Sequence, residues 1–250
     1  MRRRLGIGVG LGLLAVAAGA VRADDRSAAL DVIGRAIRAH GGETRLTKAQ
    51  VLQRTGKGTM LLYGREAAFS TDATFQLPDR LRDVIDLQVG DQKTRMILTV
   101  NPDKGWQSTP AGVAELDKER LAELKEETYV IWLSTLVPLK EGKDFTFTSL
   151  PESKVAGRPA VGVKVAGKGH TDVNLYFDKQ TDLLVKIARQ ARQAGLTISK
   201  EYLYSDHKDF DGVKLATRYA ELMNGNKSVE LVITGYRFPE RVDPRAFEKP

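Results

Sequence analysis

Histidine is the natural place to look for chemistry, because imidazole titrates near neutral pH and is the commonest metal ligand. His40, His170 and His207 are scattered along the chain and share no ligand-like spacing. His40 falls at the end of a helical pattern, where a partial positive charge is mildly favourable. Residues 206–212, Asp-His-Lys-Asp-Phe-Asp-Gly, look at first like a calcium loop. An EF-hand loop in that register needs an acid or amide at His207 and a glutamate at Arg218, so a solvated turn is the better reading. Gly6, Gly8, Gly10 and Gly12 imitate a dinucleotide fingerprint, but they precede no strand–helix unit. The sequence contains no GxSxG, HExxH or P-loop motif and no convergent acid/base pair. The expectation is a non-enzyme without cofactor or metal.

The chain has 250 residues, a formal charge of +7 and no cysteine. Disulfides, thiolate metal sites and lipid attached through cysteine are therefore excluded. Residues 1–23 read as a secretory signal. Arg2, Arg3 and Arg4 precede an uncharged stretch over 5–21, and Val21, Arg22 and Ala23 place small residues at −3 and −1 of a cleavage site. A Gly-rich stretch ending that way is a poor membrane anchor. Both the general and the twin-arginine export routes remain open. Removal takes four arginines and no acid, leaving about +3 in residues 24–250. Bulk charge then gives no case for nucleic acid.

The elements that must position any site follow from periodicity. Residues 27–39 carry Leu30, Ile33 and Ile37 at helical spacing, and Gly41-Gly42 supplies a stop. After that the period becomes two. Ala67, Phe69, Thr71, Ala73, Phe75 and Leu77 share one face, as do Leu81, Ile85, Leu87 and Val89. Thr94, Met96, Leu98 and Val100 do the same, and later Phe145 with Phe147, Val161 to Val165 and Val173 to Phe177. Further strands are expected at 183–191, 196–206, 213–223 and 227–237. Turns at 63–65, 77–79 and 90–91 are too short for parallel crossovers, so neighbouring strands must run antiparallel.

Residues 115–137 interrupt the alternation and read as a helix ended by Pro138. Its second half, with Tyr129, Val130, Ile131, Trp132 and Leu133, is apolar nearly all round and must be buried on several sides. About a dozen twisted antiparallel strands curl. The expected fold is therefore mainly β (α+β): a curved antiparallel sheet forming an unclosed half-barrel, with an N-terminal helix and an inserted plug or lid helix. A closed up-and-down barrel is the runner-up and a two-sheet sandwich comes third. An outer-membrane barrel is disfavoured by charges on the face that would meet lipid and by the lack of aromatic girdles.

Large apolar side chains on the inferred concave face and helix are Phe69, Phe75, Leu87, Met96, Ile131, Trp132, Phe145, Phe147 and Phe177. Core packing is the default for each, and lining an acyl-chain pocket is the sharper expectation.

Phe177 to Val185 ends an apolar strand and continues through Asp178, Thr181 and Leu183, and with the order of elements this layout resembles the outer-membrane lipoprotein-sorting carriers, the LolA/LolB-like family. The resemblance covers most of residues 24–250, taken as one domain. It rests on the order of elements and on Phe177 to Val185, which matches a family pattern of apolar strand, Asp, Thr and Leu. It implies an unclosed barrel with helices as a lid over an apolar cavity. It also implies lipid or acylated-lipoprotein cargo, a membrane-bound delivery partner and a periplasmic or otherwise exported location. The alternative is a non-catalytic interaction protein of the same fold with a filled concavity.

Overall fold

The computed structural model describes residues 15–250 apart from 63, 141 and 194, with side chains from residue 25 onward. The expected signal over residues 1–23 lies largely outside the described residues. From Ala15 the backbone is already helical, and this helix, α1, runs through Ala15–Ala39. No described helix is long and apolar enough to cross a membrane.

One 13-stranded sheet, antiparallel throughout, dominates the rest. The first meander comprises β1 (Val51–Leu62), β2 (Arg65–Gln76), β3 (Arg80–Val89), β4 (Gln92–Val100), β5 (Gly105–Thr109) and β6 (Gly112–Glu115). The second comprises β7 (Phe145–Val155), β8 (Arg158–Gly167), β9 (Val173–Asp178), β10 (Leu184–Gln193), β11 (Leu196–Phe210), β12 (Val213–Met223) and β13 (Asn226–Arg237). The spatial order is β6-β5-β4-β3-β2-β1-β13-β12-β11-β10-β9-β8-β7. Successive strands are neighbours, and the two meanders join where β1 pairs with β13. β6 and β7 form the two edges and do not pair with each other, so the barrel is unclosed.

Alternation explains the curvature. On β2, Ala67, Phe69, Thr71, Ala73 and Phe75 are buried while Ala68 and Asp72 are exposed. Pairing of Phe69 with Leu87 and of Phe75 with Leu81 continues the apolar rows across β3. The meanders pack closely where they join: a Cβ on Gly58 would fall 1.8 Å from the Glu230 carbonyl oxygen. Glycine lets β1 press against β13 there.

Three sequence expectations shift. The strand at 51–62 was implied only by the turn after it, because Gly56, Gly58 and Thr59 blur its alternation. The hairpin of β5 and β6 occupies residues to which the sequence pattern assigns no element, together with Glu115, the expected start of the helix. The inserted helix, α3, therefore spans Lys118–Ser134 rather than 115–137. Its start is set by Asp117, whose carboxylate accepts the Arg120 N–H at 2.8 Å. Leu136, with φ 63°, turns the chain out before Pro138.

Both long helices cover the concave face. α1 buries Ala29, Ile33, Ala36 and Ile37 against β7 and β8. Arg26 ties it down by donating to the carbonyls of Gly142 and Phe145 at 2.9 and 3.1 Å. At its other end, a Cβ on Gly41 would sit 2.0 Å from the Gly212 carbonyl oxygen, so only glycine lets the helix abut the β11–β12 turn. A short helix, α2 (Glu43–Leu46), follows. α3 leaves the β6 edge and delivers the chain to the β7 edge, crossing the concavity. Trp132 packs against apolar clusters on both sides of it.

Candidate functional site

Between α3 and the sheet lies a cavity of about 220 Å³. α3 contributes Leu124, Glu127, Val130 and Ile131 to its wall; the first meander contributes Leu52, Arg54, Phe75, Leu81, Asp83 and Leu98. The far wall carries Tyr202, Tyr204, Tyr219 and Tyr236, with His40 and His207 at one end. The enclosure is thus apolar on two sides and dotted with hydroxyl and charged groups on the others.

α3 is fastened to the sheet by a buried cluster of charges. Arg189 on β10, whose side chain has no solvent exposure, meets Glu123 at 2.6 Å and Glu127 at 2.8 Å. Lys200 on β11 meets Glu127 at 2.6 Å, Glu123 at 2.9 Å and Glu221 at 3.8 Å. The Tyr202 hydroxyl donates to Glu127 at 2.9 Å. Burial works to raise the Glu127 carboxyl, but Lys200 and Arg189 more than offset it and hold it below its ordinary range. Glu221 goes the other way: burial raises it despite Lys200.

Two of the scattered histidines come together. The rings of His40 and His207 lie 5.7 Å apart, edge to face. His40 Nε2 accepts the Leu184 N–H at 3.0 Å, which places its proton on Nδ1, and that nitrogen donates to the Lys214 carbonyl at 2.6 Å. His207 Nε2 donates to the Leu184 carbonyl at 3.0 Å. A favourable positive charge at the helix end is not what His40 supplies; burial pushes its pKa down to about 4, and the ring is neutral. His170 stands elsewhere, stacked on Tyr129 at 3.7 Å and bonded to Glu126 at 2.8 Å.

Of the nine expected lining residues, Phe75 and Ile131 border the cavity. Phe145, Phe147 and Phe177 pack in the cluster beneath α1 and α3, and Trp132 bridges that cluster to the next. Phe69 and Leu87, with Met96 against them, occupy a third cluster at the far end of the concave face. The expected set is thus spread along the concave face, with two members at the cavity.

Sequence reasoning passed over Arg54, Asp83, Arg189, Lys200, Glu123 and Glu127. A signal existed. Asp83 falls in phase with Leu81 and Ile85, and Arg189 with Ile187 and Ala191, so charges sit in rows that are otherwise apolar. Glu123 and Glu127 are four apart on a helix and share a face.

The Asp178 turn gives the Phe177 to Val185 pattern a physical basis. Its carboxylate accepts the N–H groups of Gln180 and Thr181 at 3.0 and 2.9 Å and the Thr181 hydroxyl at 3.1 Å. Arg158 donates to it at 2.7 Å.

No family model and no curated protein matches the chain. Solved structures do. A domain provisionally named as an outer membrane lipoprotein-sorting protein, from Vibrio parahaemolyticus, superposes with a TM-score of 0.53 at 15% identity, covering 89% of this chain and 97% of that one. A DUF1329 family protein from Desulfovibrio piger gives 0.56 at 14% identity, covering 90% and 97%. A LolA superfamily protein from Nitrosomonas europaea gives 0.52 at 12% identity, covering 82% and 96%. At such identities the likeness is one of fold, and the fold is LolA/LolB-like.

Proposed function

We propose that this LolA/LolB-like half-barrel is an exported carrier that shields an acyl chain of a lipid or lipoprotein beneath α3, without covalent chemistry. The observation that carries the reading is the cavity between α3 and the sheet. An exposed acyl chain costs about 0.8 kcal/mol per methylene in water, so passage through an aqueous compartment needs such a shelter.

At about 220 Å³ the cavity is smaller than the ~300–1,000 Å³ of ordinary ligand clefts. In this reading the structure is the closed state and α3 is the lid. The lid has a specific fastening, since Glu123 and Glu127 bind Arg189 and Lys200. Cargo opens it by binding the open form more tightly than the closed one. Delivery to a membrane-bound partner reverses the shift. Residues 1–23 serve as the export signal.

The small volume also favours a second reading, a non-catalytic interaction protein whose concavity is filled by its own side chains. Native mass spectrometry of the exported chain, purified without detergent, separates the two. An added mass that extracts into organic solvent as a lipid establishes carriage. A bare mass with no uptake of a fluorescent fatty acid sinks the carrier and leaves the filled core.

A further inference from the structure

Arg54 is the cation in the cavity wall that the fold leaves unanswered. Its position on β1 pairs with Ala73 of β2, which pairs with Asp83 of β3, so the long side chain reaches out over a small neighbour. The guanidinium carbon lies 5.4 Å from the centre of the Phe75 ring. Its Nε is buried with no hydrogen-bond partner, and no ion pair within 4.0 Å joins Arg54 to a described residue. Arg54 is half-buried, whereas Arg189 and Lys200, the buried cations of the described residues, are each held by two glutamates or more.

A guanidinium presents five donors in a planar fork, and burying even the Nε–H without an acceptor is costly. The same cavity is walled by Leu52, Phe75, Leu98 and Ile131, which suit a hydrocarbon chain. Asp83 also borders the cavity, with Thr71 donating to one of its oxygens. Burial raises the Asp83 carboxyl, and the Thr71 hydrogen bond and the Arg54 charge oppose that shift in part. A cation within apolar walls matches a single-chain ligand ending in an oxygen acceptor. A carboxylate fits the guanidinium fork with two parallel bonds. A phosphate would bring a second negative charge close to Asp83 and Glu127.

We infer that the cavity takes a free fatty-acid-type amphiphile, with its carboxylate seated on Arg54 and its chain among Leu52, Phe75, Leu98 and Ile131. This deepens the carrier reading and rests on it. A lipoprotein, whose acyl groups are esterified or amidated, offers no free carboxylate for Arg54.

The test compares decanoate, methyl decanoate and decanol by isothermal calorimetry with the purified chain near pH 7. The three share a chain length and differ at the head. Decanoate is expected to bind about 10- to 100-fold more tightly than its ester, the worth of hydrogen bonds to a charged group. Arg54→Met should erase that preference and Arg54→Lys should restore part of it. Equal binding of acid and ester by the unaltered chain overturns the inference without need of a variant, while leaving the carrier intact. An acid preference that survives Arg54→Met overturns it too. Binding of none of the three also overturns the inference, whereas the carrier reading is decided separately by the lipid mass and fatty-acid uptake described above.

Discussion

Arg189 on β10 donates to Glu123 on α3 at 2.6 Å from a side chain with no solvent exposure. A pair so placed is a weak source of net stability but a costly one to break singly, because the survivor is left charged and unpaired. Arg189→Met should therefore destabilise the chain by about 3–5 kcal/mol in urea unfolding. Arg189→Met combined with Glu123→Leu removes one charge of each sign and keeps the Lys200–Glu127 pair. The double variant should regain most of the loss. A double variant no more stable than the single would mean that packing, not charge balance, sets the cost.

Acid should loosen the end of the cavity where His40 sits. Its pKa is 6.5 unperturbed and about 4 in the fold, through burial first, so protons bind the unfolded chain more readily. The associated stability is complete above pH ~6.5 and is lost as pH falls toward ~4, on the order of 3 kcal/mol in all. His207, also lowered by burial, acts in the same direction. The urea midpoint measured from pH 7 to pH 4 should fall, and His40→Gln should flatten that slope. An unchanged slope would place the acid sensitivity elsewhere.

The turn after β9 depends on a single carboxylate. Burial opposes its ionisation, but Arg158 and the Thr181 and Gln180 groups hold Asp178 below the ordinary carboxylate range. Asp178→Ala strands the amide donors of Gln180 and Thr181 and should cost about 1–3 kcal/mol, read from thermal unfolding. Thr181→Val, which removes one of those bonds, should cost less. The reverse ranking would contradict the hydrogen-bond account.

Filling the cavity should separate stability from carriage. Ile131→Trp directs an indole into the space beneath α3, at a packing cost of about 1–3 kcal/mol. The variant should still unfold cooperatively yet fail to take up a fluorescent fatty acid. Uptake equal to that of the unaltered chain would locate the binding surface outside this cavity.

The sheet was legible because one face is wet and the other apolar, which writes period two into β2, β3, β4 and β9. β1 was harder to read because its glycines serve a close approach to β13, a tertiary demand that local pattern does not encode. β5 and β6 are too short for alternation to register. The half-barrel and its crossing helix were foreseen, but the cavity's chemistry was not. A charged residue in an apolar row, such as Asp83 or Arg189, counts against the pattern when strands are sought. Once the strands are in place, the same violation marks where polar groups face inward.

The sheet order also governs how the molecule is made. Every strand pairing except β1 with β13 joins neighbours in sequence and can close as soon as the second strand exists. The exception joins Gln53 to Arg237, near opposite ends of the chain, and its closure fuses the two meanders. Long-range pairing of this kind slows folding and exposes unpaired edges meanwhile. During synthesis the edge of β1 therefore stays unclaimed until the last strand emerges. A chain truncated before residue 226 would never cover it, so late C-terminal truncations should aggregate rather than fold into smaller barrels.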